Sequence, residues 1–242
     1  MIFTDQDLVF NGFKFSNLVY VEDIRTTLTP QISYPQQEIP GRTGVRLGKR
    51  KVGARTIEVD IRIIEDLRSD VTDVATEIAG RLMTDGAAKL VTRRDRGRWW
   101  LAVYVGEPDL AQFHETGFAT LEFLAPAGTM YSDEVTEQLS VGENTVTVQG
   151  TYETTPVVTV TLADERSSVS VSVNNKTVTV TGLWPAGTVL RFDGDARAVW
   201  VNDARFSGVT LVGSRYGVLL PGSNLITVDG GAAELKYFPR WL

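Results

Sequence analysis

Cysteine is absent from the 242 residues and histidine occurs once, as His114. A chain without thiols has no disulfide, thiolate metal centre, iron–sulfur cluster or Cys nucleophile. A single imidazole removes most zinc sites and the usual acid–base pairs of hydrolases. Long apolar runs are also missing, so no transmembrane helix and no membrane insertion are expected. The opening MIFTDQDLVF carries acids where a secretory signal needs bases, so export by that route is not expected. No cofactor motif appears either: there is no Gly-rich phosphate loop with a following Lys-Ser/Thr, no dinucleotide fingerprint and no Gly-x-Ser-x-Gly. These absences argue against an enzyme and leave no reason to expect a cofactor or metal.

What is present is 43% hydrophobic and 22% charged, with a net charge of −6, which excludes wholesale disorder. At roughly 150 residues per domain, the length fits one large or two modest domains. Composition shifts near residue 130, where 16 of the 24 basic residues are already behind and Val, Thr, Ser and Gly take over. The reading is an N-terminal domain over 1–130 and a C-terminal domain over 131–242. Closely spaced turns in the second part suggest a sandwich of short antiparallel strands.

One segment has helical periodicity. Val71, Val74, Ala75, Ile78 and Leu82 fall on one stripe of Ser69–Met83, with Ser69 or Asp70 placed to cap it and Gly86 to stop it in a left-handed conformation. Gly80 weakens it by about 1 kcal/mol relative to Ala. The rest is mainly β: Leu8–Phe10, Val19–Arg25, Ala54–Ile64, Lys89–Thr92, Trp99–Glu107 and Gly117–Leu124 in the first part. Within Arg55–Ile63, apolar Ile57, Val59, Ile61 and Ile63 alternate with Thr56, Glu58, Asp60 and Arg62. In the second part Val189–Phe192, Ala198–Val201, Tyr216–Leu220 and Leu225–Val228 are expected strands, and the aromatic tail Tyr237–Leu242 is expected to dock. One hairpin can be registered outright. Asn174-Asn175 tolerates positive φ, and a two-residue turn pairs Val173 with Lys176, Val171 with Val178 and Val169 with Val180, keeping the valines on one face.

The acidic pairs Asp193/Asp195 and Asp164-Glu165 lie in turn compositions without an apolar pocket, so a glycosidase reading has little support. Trp184 and Trp200 fit either sugar platforms or core, and His114 falls in an expected polar loop, Asp109–Thr116. Basic residues are more informative. Arg42, Arg46, Lys49, Arg50, Lys51 and Arg55 form one cluster; Arg93, Arg94, Arg96 and Arg98 form another. The acidic overall balance disfavours nucleic acid as their partner and favours a neighbouring protein surface. Gln36–Lys51, with Pro40, three glycines and five basic residues, reads as a long loop, and such loops are commonly functional.

Several of these pieces together carry a family resemblance. Phe10-Asn11-Gly12, Val19-Tyr20-Val21 and above all Ile39-Pro40-Gly41-Arg42-Thr43-Gly44 resemble the distal tail proteins of bacteriophages with long non-contractile tails (siphophages). The alternating strand, short helix, Phe118–Pro126 and Leu219-Leu220-Pro221-Gly222-Ser223-Asn224 continue it. The resemblance implies a tail-tube-like N-terminal β domain with one helix and a C-terminal galectin-like β-sandwich. It implies a virion protein, assembled in the host cytoplasm, that forms a cyclic ring of six copies at the distal end of the tail. That ring joins the tail-tube protein to the tail-tip hub protein and can hold receptor-binding proteins. Sugar recognition lacks a His-x-Asn-x-Arg strand around His114. A ring needs two complementary patches per protomer, and Arg42, Arg46, Lys49, Arg50, Lys51, Arg94 and Arg96 are the expected ring or tube contacts. The alternatives are a tail-tube or hub protein of the same machinery and a free carbohydrate-binding protein.

Overall fold

A computed structural model describes residues 8–95, 97–108, 110–207 and 213–242. The chain divides into two compact units, Met1–Tyr131 with Leu242, and Ser132–Trp241.

The first unit runs β1 (Leu8–Phe10), β2 (Phe13–Lys14), β3 (Val19–Thr26), β4 (Ile32–Ser33), β5 (Gln36–Glu38), β6 (Val45–Leu47), β7 (Lys51–Val52) and β8 (Arg55–Ile63). Then come α1 (Val71–Leu82), β9 (Ala88–Thr92), β10 (Trp99–Tyr104), α2 (Leu110–Thr116), β11 (Phe118–Ala125) and β12 (Met130–Tyr131). The main sheet is antiparallel in the order β2-β1-β9-β10-β11-β8-β3. Period-two patterning builds it: Ile57, Val59, Ile61 and Ile63 of β8 are at most 2% exposed, while Glu58 and Arg62 face the other side. The buried face of α1, Val71, Val74, Ile78 and Leu82, joins the same core with Phe10, Phe15 and Phe123.

Two helix-boundary expectations are corrected. Asp70 is the N-cap residue but makes no side-chain cap bond, because a 3₁₀ turn, Glu65–Asp70, feeds directly into α1. The helix ends at Met83 by turning into extended backbone (φ −77°, ψ 113°), without a left-handed stop at Gly86. The loop expected around His114 is also wrong. Leu110–Thr116 is a second short helix, closed by Gly117 at φ +69° with its N–H donating to the Phe113 carbonyl at 2.8 Å.

The second unit contains β13 (Val135–Leu139), β14 (Gly142–Val148), β15 (Val157–Thr161), β16 (Arg166–Val173), β17 (Lys176–Trp184), β18 (Val189–Asp193), β19 (Ala198–Val201), β20 (Ala204–Arg205), β21 (Gly222–Val228) and β22 (Ala233–Tyr237). One sheet is ordered β13-β22-β15-β18-β19-β20, the other β14-β21-β16-β17, and their inward valines, leucines and Trp184 share one core. The β16–β17 hairpin has the expected register, and Asn174 and Asn175 sit at φ +47° and +62°. Tyr216–Leu220 does not form a strand; only Leu219 bridges, to Thr154.

Two Gly-x-Asn segments start the paired strands β14 and β21: Gly222-Ser223-Asn224, part of the segment quoted for the resemblance, and its counterpart Gly142-Glu143-Asn144. Asn144 Oδ1 accepts from the Ser140 amide and its Nδ2 donates to the Ser140 and Gly142 carbonyls. Asn224 repeats this with Leu220 and Gly222. Each Gly holds φ near +95° (Gly142 +95°, Gly222 +94°), a region open to residues without a Cβ.

Candidate assembly surface

The segment read as a loop is a two-tier β arm. Ile32 pairs with Val52 and Ser33 with Lys51; further out, Gln36 pairs with Leu47, Gln37 with Arg46 and Glu38 with Val45. Gly48 N–H to Pro35 O (2.7 Å) and Gly53 N–H to Gln31 O (2.7 Å) continue the ladder between and below the tiers. At the tip, Arg42 N–H returns to Ile39 O (3.0 Å) while Gly41 and Gly44 take φ +79° and +90°, which accounts for the Pro-Gly-x-x-Gly spacing. The loop reading failed because each tier is only two or three residues long, too short for a periodic signal.

Arg42, Arg46, Lys49, Arg50 and Lys51 all lie on this arm and all are exposed. The arm also displays Ile32, Tyr34, Val45 and Leu47, between 42% and 57% exposed, which charge-based reading missed. Their signal was the alternation Val45-Arg46-Leu47, which puts both apolar residues on one side of β6. Arg55, grouped with these basic residues in the sequence, is not on the surface. It is 4% exposed, donates to Leu28 O at 3.0 Å and stacks on Trp100, and burial lowers its pKa.

The second basic cluster is used differently. Arg94 pairs with Asp23 at 2.9 Å, and Arg93 donates to the Val21 and Glu22 carbonyls, tying the β9–β10 turn to β3. Arg96 lies outside the described residues. Nearby, Arg25 holds Asp60 through its two terminal guanidinium nitrogens and Glu58 through Nε at 3.0 Å; Thr120 also donates to Asp60. Burial pushes the Asp60 carboxyl up, but the Arg25 and Thr120 hydrogen bonds outweigh it and hold it below the usual range. Asp95, by contrast, is raised by burial despite bonds from the Thr92 amide and Trp100 Nε1.

Among the described residues no group of three or more His, Cys, Asp or Glu side chains could hold a metal, and no helix is long and apolar enough to cross a membrane. His114 is exposed on α2. Asp193 Oδ1 accepts the Asp195 and Ala196 amides, the work of a turn carboxylate. Trp184 is core, edge-on to Phe206; Trp200 is half-buried with the Arg191 guanidinium 4.4 Å over its ring. This arrangement is fitted to making contacts, with a charged and apolar arm standing on a rigid, ion-paired sheet.

Comparison with known proteins bears on both units. Residues 10–125 match the family described as phage tail protein RIFT-related domain, and residues 149–241 match the siphovirus-type tail component, C-terminal domain. The crystal structure of the Dit protein of phage SPP1, described as a paradigm of the hub adsorption apparatus in phages infecting Gram-positive bacteria, superposes with a TM-score of 0.80 at 15% identity. The match covers 98% of this chain and 99% of that one. A chain of the phage P2 baseplate in its activated conformation with Ca gives a TM-score of 0.51 at 8% identity, covering 94% and 92%. At such identities the structural likeness shows the shared fold. No curated protein sequence matches the chain.

Proposed function

The chain belongs to the siphophage distal tail proteins, structural components of the phage tail, and from that premise we propose that its first unit closes a homomeric ring of six copies. The ring joins the tail tube to the tail-tip hub, the second unit presents a surface for receptor-binding proteins, and the work is coupling without catalysis. Residues 1–130 then supply the ring and 131–242 the outward module, assembled in the host cytoplasm before the virion is complete.

The observation that carries this reading is the arm Ile32–Val52. It is exposed along its length, rich in basic and apolar side chains, and held in shape by its own β pairing. A monomeric protein rarely keeps such an extension bare, and an edge of unpaired strands invites another chain. A closed ring requires each protomer to offer a projection and a matching recess, a heterologous contact. Arg42, Arg46, Lys49, Arg50 and Lys51 supply the charge that registers it. Arg94, paired to Asp23, contributes by stiffening the sheet behind it.

Light scattering across a concentration series tests this. The chain should pass from monomer to one defined cyclic oligomer, and reversing Arg42, Arg46 and Arg50 to Glu should weaken that transition while leaving circular dichroism unchanged. A strict monomer at every concentration, absent from purified tails, would refute the reading.

A further inference from the structure

The arm needs a recess, and the first unit contains one. Between α1, α2 and the β8–β11 face lies an apolar groove of about 310 Å³, lined by Ile78, Ala79, Met83, Phe113, Leu121 and Pro108 among others. Ala79 and Met83 stand open to solvent, Met83 at 79%. Tyr104 also lines it, with its hydroxyl buried and without a hydrogen-bond partner among the described residues.

An acidic hollow adjoins the groove. It shares Gly106, Pro108 and Ala119 with it and is lined by Glu58, Glu107 and Glu122. The Tyr104 pKa is raised to about 12, by burial first and then by the charges of Glu107 and Glu122. The trough therefore meets, around the edge at Gly106 and Pro108, a patch of negative charge on the opposite face of the β8–β11 sheet, where Glu122 and Glu107 lie beside a Glu58 already paired with Arg25. The arm is its complement: Val45 and Leu47 share one side of a strand whose next residues bring Lys49, Arg50 and Lys51, with Arg46 between them.

Nine steps along the strand from Ile32 to the tip at Gly41 give the arm a reach of at most about 30 Å. The groove runs along α1 from Ala75 to Met83, about 12 Å, so two or three residues of the arm fill it.

We propose that the apolar groove beside α1 is the docking site for the β arm of a second copy of this chain, with Val45 and Leu47 entering the trough and the arm's basic residues meeting the acidic hollow. This rests on the ring reading and names the two faces of its contact. Because groove and arm lie on the same unit, each copy both donates and receives, and the contact propagates from copy to copy.

The natural lack of cysteine makes the test clean. Full-length L47C and M83C chains are mixed at concentrations where the protein assembles, and a short bismaleimide is added. The mixture should give a cross-linked dimer at least tenfold more abundant than either variant alone. K49E/K51E introduced into the L47C chain should reduce that product at least tenfold without altering the circular dichroism spectrum. If light scattering shows assembly but no 47–83 product forms, the groove assignment is overturned and the ring reading stands. Predominance of an 83–83 product would mean that grooves face one another, which also overturns it. Failure of the chain to assemble at all, with no product, sinks both.

Discussion

Asn224 offers a quantitative test of how the second unit is held. It is 1% exposed, and its amide makes four hydrogen bonds. Oδ1 accepts from the Leu220 amide at 2.7 Å and from Asn174 Nδ2 at 2.7 Å; Nδ2 donates to the Leu220 and Gly222 carbonyls at 2.8 and 2.9 Å. Asn174 itself occupies the β16–β17 turn and donates to Val218 O, so one side chain links the Leu219–Asn224 segment to a distant hairpin. In Asn224→Ala these groups lose their partner inside the fold. At about 1 kcal/mol per net hydrogen bond, allowing for some rescue by water, the cost is about 2–4 kcal/mol. Against a total of about 5–15 kcal/mol for a typical domain, that is a large fraction. With a urea m-value of about 1.5 kcal/mol/M, the transition of the second unit should move down by about 2 M, and that of the first should not move. Asn144→Ala is the internal control. It removes the same local pattern at a half-buried site without a long-range partner, and should cost about 1 kcal/mol. Equal losses for the two variants, or an Asn224→Ala loss below about 0.5 kcal/mol, would refute the claim that the buried network carries the difference.

Gly80 lies in the last turn of α1 with open space where a Cβ would go, so Gly80→Ala should stabilise the first unit by about 0.5–1 kcal/mol, read as a higher urea midpoint. Asp60→Asn should destabilise that unit by about 1–3 kcal/mol at neutral pH, through weakened charge-assisted bonds to Arg25. The sign with pH follows from a carboxyl held below its unfolded value: its contribution is present above about pH 4 and is lost as pH falls through the lower folded value, so variant and parent should converge in acid denaturation. Gly128→Ala should cost the first unit its stability outright, since a Cβ there would sit 2.2 Å from the Gly53 carbonyl oxygen at φ +64°; an unchanged thermal midpoint would contradict that geometry. Assembly driven partly by the basic arm should weaken between 50 and 500 mM salt without disappearing, by light scattering, because Val45 and Leu47 are insensitive to screening.

Legibility in the sequence followed element length and periodicity. β8 declared its buried face through four alternating branched residues, and the β16–β17 hairpin fixed its register because its turn chemistry and valine face agreed. The α1 stripe was equally plain, but its ends were not: no cap hydrogen bond forms at Asp70, and a 3₁₀ turn disguises the entry. α2 escaped notice because seven residues cannot show two full periods. Of the basic residues, sequence proximity correctly grouped five on the arm. It misplaced Arg55, whose guanidinium belongs to the core beside Trp100, since charge alone does not reveal which way a strand residue points.

The contrast between the two basic clusters explains why a tail protein can be rigid and adhesive in the same domain. Arg25, Arg93 and Arg94 spend their hydrogen bonds within the chain, crossing from β3 to β8 and from the β9–β10 turn to β3. Those contacts join segments far apart in sequence, so they resist local opening of the sheet. The arm is built the opposite way: its pairs are local, its side chains face outward, and it buries almost nothing. Its own folding gain is therefore small, and most of its apolar area is still available to be buried against a partner. A short β ladder limits the entropy lost when it docks, because the backbone is ordered beforehand. On the proposed reading, the division puts stability in the sheet and leaves binding free energy in the arm, as suits a component that folds alone before joining a larger assembly.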